Sequence, residues 1–96
     1  MLPSRPFGLG AIAFVIVNVN PGHVQHLAQE LAKVTYIIEV YEVHTYGDLL
    51  LKVRAASFGD IANILANDIK TIEGVIISRV ISVLNVWKDK LVSLIR

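Results

Sequence analysis

The stretch VHTYGDLLLKVRAA, residues 43–56, decides how the rest of the chain is read. It has the pattern of a strand end, a tight turn at Thr45-Tyr46-Gly47, and a second strand that begins at Asp48. Pairing the strands back from a two-residue loop, whether Thr45-Tyr46 or Tyr46-Gly47, brings Glu39 opposite Lys52 or Arg54. The opposite charges favour that parity. It puts Ile38 and Val40 on one face with Leu49, Leu51 and Val53. Ile37, Glu39, Tyr41 and Val43 then share the other face with Asp48, Leu50, Lys52 and Arg54. One face is wholly apolar and the other mixed.

Upstream, residues 11–19 (AIAFVIVNV) are β-branched and almost continuously apolar, as in a central strand buried on both faces. Asn20-Pro21-Gly22 stops that strand. Asn20 is placed to cap a helix with Pro21 at its first position, running to about residue 33 with Val24, Leu27, Ala28 and Leu31 on one stripe. A second strand is expected over residues 35–44 and a third over 48–56. Ser57 or Asp60 can then cap a second helix, in which Ile61, Ile64, Leu65, Ile69 and Ile72 recur at helical spacing. After Gly74 the pattern predicts a fourth strand from residue 75 to about 87, apolar at both parities. Residues 1–10 read as an arm rich in Pro and Gly, 11–88 as the folded domain and 89–96 as a tail, either a short helix or an edge extension. The order strand, helix, strand, strand, helix, strand is the ferredoxin-like βαββαβ arrangement of the α+β class. Right-handed crossovers place both helices on one face of a four-stranded antiparallel sheet.

That topology leaves an apolar surplus. The chain has 96 residues, of which 54% are hydrophobic and 18% charged, with a mean hydropathy of +0.60. Two helices cover one face of the sheet, yet the first and fourth strands are apolar on both, so Tyr41, Leu50 and one parity of residues 75–86 are expected to face outward. The exposed apolar surface then exceeds the few hundred Å² usual for a monomer. Covering even four or five such side chains, at about 1.5–3 kcal/mol each, is a strong drive to associate. A homo-oligomer packed sheet against sheet with two-fold symmetry is expected. The longest uninterrupted apolar run, residues 11–17, is too short to span a bilayer, so no membrane association is expected. With no secretory signal pattern and no cysteine, a cytoplasmic location fits. The net charge of +1, with Lys and Arg scattered, offers no footprint for direct nucleic-acid binding.

No catalytic constellation is visible and no cofactor is expected. His23, His26 and Glu30 sit at helical spacing and could form a surface metal site, but no fourth ligand accompanies them and solvated positions are the favoured reading. Asp48 stands apart among the polar residues. Beside a turn it can satisfy backbone N–H groups; at an oligomer seam it can meet the ammonium of a small zwitterion while loop N–H groups take the carboxylate.

The segment Asp48-Leu49-Leu50-Leu51-Lys52-Val53-Arg54-Ala55, combined with the Pro-Gly helix start after Asn20 and with Ile72-Glu73-Gly74-Val75, resembles the RAM domain (regulation of amino acid metabolism). This is the effector-binding half of Lrp/AsnC-family transcriptional regulators. The resemblance implies a dimer, often assembled into a ring of four dimers, with amino acids bound between dimers near the turn and the fourth strand. By position it assigns His44, Thr45, Tyr46, Gly47, Asp48, Ser78 and Val80 to the effector site. The family usually has glycine at the place of Thr45, an aromatic or similar residue at that of Gly47, and threonines at those of Ser78 and Val80. Family members usually begin with a helix-turn-helix, which a ten-residue arm cannot hold. The expectation is therefore a stand-alone RAM domain: a non-enzymatic amino-acid-sensing and oligomerisation module linked to transcription. The alternatives are a purely structural co-assembly partner of a full-length helix-turn-helix regulator or, less in keeping with the apolar parity of Leu49, Leu51 and Val53, a dimeric α+β barrel enzyme.

Overall fold

The first strand, β1 (Ala11–Val19), carries apolar side chains at nearly every position and lies inside the sheet, where both of its faces are covered or half-covered. The computed structural model describes residues 10–43 and 48–89. After β1 come a 3-10 turn (Pro21–His23), α1 (Val24–Ala32), β2 (Ile37–Glu42), β3 (Asp48–Ala55), α2 (Phe58–Ile64), a π turn (Leu65–Ile69) and β4 (Val75–Ser82). The strands are antiparallel in the order β2-β3-β1-β4. This is the expected ferredoxin-like arrangement.

Both helices cover one face of the sheet. Leu27 and Leu31 of α1 and Ile61 and Ile64 of α2, with Ile69 of the π turn, pack on Ala13, Val15, Val17, Leu49, Leu51 and Val53. Among the described residues the core holds no buried polar side chain. Local chemistry sets the helix ends. The Asn20 side chain accepts a hydrogen bond from the Gly22 N–H at 3.0 Å, and the Ser57 hydroxyl accepts one from the Asp60 N–H at 3.1 Å. Gly10 enters β1 with φ +56°, and a Cβ there would sit 2.4 Å from the Ala55 carbonyl oxygen. No other residue type fits that approach without moving backbone. No helix among the described residues is long and apolar enough to cross a membrane.

Four expectations are corrected. The second strand is Ile37–Glu42, shorter than residues 35–44. A bulge between Ile37 and Glu39 pairs Ile37 with Val53, so Ile37 is buried on the helix side and Ile38 is exposed, the reverse of the simple alternation. The fourth strand ends at Ser82 instead of near residue 87. Its partner runs out there: Ser82 pairs with Ala13, the Val83 N–H donates to the Ile12 carbonyl, and β1 begins at Ala11. Finally, the second helix changes from α to π at Leu65. The tail, residues 90–96, and the arm, residues 1–9, lie outside the described residues.

Candidate functional site

The face turned away from the helices can be read as rows across the strands. From one end to the other they are Asp48–Asn18–Ile76, then Tyr41–Leu50–Ile16–Arg79, then Glu39–Lys52–Phe14–Ile81, then Arg54–Ile12. Asp48 and Arg54 lie toward opposite ends and Glu39 and Arg79 on the edge strands, while Lys52 sits inside the face among Leu50, Ile16 and Phe14. Glu39 stands opposite Lys52, one of the two basic partners that the charge argument allowed. The Lys52 ammonium itself lies over the Phe14 ring, 5.9 Å from the centroid. Glu39 accepts a hydrogen bond from the Tyr41 hydroxyl and adds its negative charge, which together with partial desolvation raises the Tyr41 pKa above its ordinary value.

Much of this face is open. Tyr41, Ile81 and Ile76 are 48%, 43% and 67% exposed. At the Arg54–Ile12 end the chain after β4 returns across the sheet, and a cleft of about 460 Å³ separates Ile12, Phe14 and Lys52 from Val83 and residues 85–89. Trp87 on that segment is 92% exposed. The Arg54 Nε is buried and has no hydrogen-bond partner among the described residues. The opposite end, at Asp48, carries no such overlay from the described chain.

The sequence-selected residues divide as follows. His44, Thr45, Tyr46 and Gly47 lie outside the described residues. Asp48 begins β3 and accepts a hydrogen bond from the side-chain amide of Asn18 on β1. Ser78 is the residue left out of the β1–β4 ladder, at a bulge between Ile77 and Arg79. Beyond the bulge the parity of β4 is inverted. Val80 pairs with Val15 on the helix side, while Arg79 and Ile81 turn outward. Without the extra residue Arg79 would fall on the helix side of the sheet; the bulge turns it to the outer face. Asp48 and Val80 are thus not brought onto the same face. Sequence reading missed Asn18, whose meaning depends on a cross-strand register that no local pattern contains.

On the helix side, Asn20, His23, His26, Leu27, Glu30, Ile72, Glu73 and Gly74 line a cleft of about 560 Å³. Among the described residues no group of three or more His, Cys, Asp or Glu side chains is placed to hold a metal ion. Glu30 is instead paired with Lys33 at 3.1 Å.

Residues 12–92 match the family model described as the Lrp/AsnC ligand binding domain. An uncharacterized HTH-type transcriptional regulator of Pyrococcus furiosus is 35% identical over 74 residues, covering 74% of this chain and 49% of the relative. The chain therefore spans about half the length of that relative. Among solved structures, Escherichia coli AsnC superposes with a TM-score of 0.82 at 17% identity, over 93% of this chain and 60% of the other. A transcriptional regulator from Neisseria meningitidis in complex with L-methionine superposes with a TM-score of 0.78 at 18% identity, over 93% and 59%. At these identities the structural likeness establishes the fold alone.

Proposed function

The chain belongs to the Lrp/AsnC ligand-binding domain family, and we propose that it is an amino-acid-binding and assembly module serving transcriptional regulation. The observation that carries this reading is the open outer face of the sheet, an apolar field with charged ends and an acidic corner at Asp48. In a face-to-face pair the apolar rows of the two copies meet at the centre. A two-fold dimer follows, able to assemble further into a ring. The folded unit is residues 11–88, with 1–10 and 89–96 as flanking segments.

The effector residues proposed here are His44, Thr45, Tyr46, Gly47 and Asp48, with Ser78 at the bulge and Val80 on the helix side. Asp48 supplies negative charge for an ammonium. L-Methionine is the ligand of one structural neighbour and is a first probe for this chain. The same apolar face also suits the sheet of a full-length regulator of the family, in which case the chain would co-purify with a helix-turn-helix protein.

A thermal-shift screen against the twenty amino acids at millimolar concentration tests the sensing role. A ligand present at ten times its Kd stabilises the folded state by about 1.4 kcal/mol, which for a domain of this size is roughly 6–11 °C in Tm. At least one amino acid is expected to produce such a rise. A Tm unmoved by all twenty would overturn the sensing role.

A further inference from the structure

We propose that Asn18 is a ligand-binding residue, which with Asp48 forms a paired acceptor for an ammonium group at the open end of the outer face. The inference deepens the reading given above and rests on it for the ligand class. Three observations carry it: the side-chain bond between the two residues, the row in which they sit, and the cost of an asparagine at that place.

The Asn18 amide Nδ2–H donates to Asp48 Oδ1 across β1 and β3. Among the described residues this is the only side-chain hydrogen bond between two strands. It fixes both groups. Asp48 Oδ2 and Asn18 Oδ1 remain as acceptors, and an ammonium has three N–H donors to share between them and a third partner. A lone carboxylate on a strand end is solvated and turns freely; one whose first oxygen is held presents its second in a set direction. That pre-organisation raises affinity for a small cation without adding contacts.

The surrounding rows select for a zwitterion over a bare amine. Ile76 is the neighbour of Asn18 on β4 and forms an apolar wall. Arg79, brought outward by the bulge at Ser78, stands opposite Ile16 in the next row and adds a positive charge to the same face. An α-amino acid lying with its ammonium on Asn18–Asp48 and its carboxylate toward Arg79 satisfies both charges. Asparagine is disfavoured in strands, and β1 is otherwise built from alanine and strong strand formers. A local departure of that kind concentrates where a chain binds something.

The test uses the full chain and three probes of one skeleton: L-methionine, 3-(methylthio)propylamine, which lacks the carboxylate, and 4-(methylthio)butanoate, which lacks the ammonium. Isothermal titration compares wild type with Asn18→Ala, a half-buried rim position whose change leaves the core intact. Asn18→Ala is expected to weaken L-methionine and the amine by roughly tenfold or more and to leave the acid unchanged. Equal affinities in wild type and Asn18→Ala, an equal loss for all three probes, or a wild type that binds neither L-methionine nor the amine would each overturn the proposal. The two readings fail separately. If no amino acid binds in the screen but amine binding is lost in Asn18→Ala, the sensing role falls and the ammonium site stands. If an amino acid binds and Asn18→Ala leaves it untouched, the reverse holds.

Discussion

Leu51→Ala is expected to lower the stability of the fold by about 3 kcal/mol, within the range for truncating a fully buried leucine, and hence Tm by roughly 12–24 °C. Leu51 has no exposed surface and sits on β3 between Val15 of β1 and Val40 of β2, beneath both helices. Removing its side chain leaves a void that the close-packed surroundings fill only in part. The neighbouring Leu50 points to the other face and is half-buried. Leu50→Ala is expected to cost the isolated fold under about 1 kcal/mol and to act on association instead. Thermal unfolding of the two variants side by side separates the faces of the sheet. Equal losses from both would mean that the outer face is as much a core as the inner one.

The second large effect is expected at Ile16, in the middle of the outer face, paired with Leu50 on one side and Arg79 on the other. Ile16→Lys places an ammonium in the apolar field, where a paired copy would bury it beside another cation. Desolvation and like charge both oppose that. Self-association is expected to weaken at least about a hundredfold, while the monomer keeps its fold because the side chain faces away from the helices. Sedimentation or light scattering reads the change, and circular dichroism checks the fold. If Ile16→Lys associates as the wild type does, the outer face is not where copies meet.

Much of the fold is legible in the sequence because its determinants are local. Asn20 and Ser57 cap helices that begin where they stand, and the spacing of Leu27 with Leu31 and of Ile61 with Ile64 marks the buried stripes. The charge of Glu39 narrowed the register of β2 on β3 to a partner at Lys52 or Arg54, and the sheet has Lys52 there. The bulge at Ile38 was hidden because Ile37 and Ile38 are the same residue type, so an alternation argument has nothing to distinguish them. The bulge at Ser78 left a trace: continuous alternation through residues 75–82 would have turned Arg79 inward. The end of β4 at Ser82 was invisible, since Val83, Leu84, Val86 and Trp87 continue the apolar pattern. What stops the strand is the beginning of its partner some seventy residues earlier in the chain.

The candidate site was legible only in part, for the same reason. Asp48 is conspicuous beside a turn, but Asn18 gains its meaning from lying opposite Asp48 in the β1–β3 ladder. Ser78 and Val80 look equivalent in a regular strand, and the bulge separates them.

The outer face is proposed as the interface between copies of this chain, with the ligand residues at its edge. Multi-angle light scattering on the unmodified chain at tens of micromolar tests this most directly. A mass of two subunits, or an even multiple of it, is the expected result; a monodisperse monomer would contradict the account.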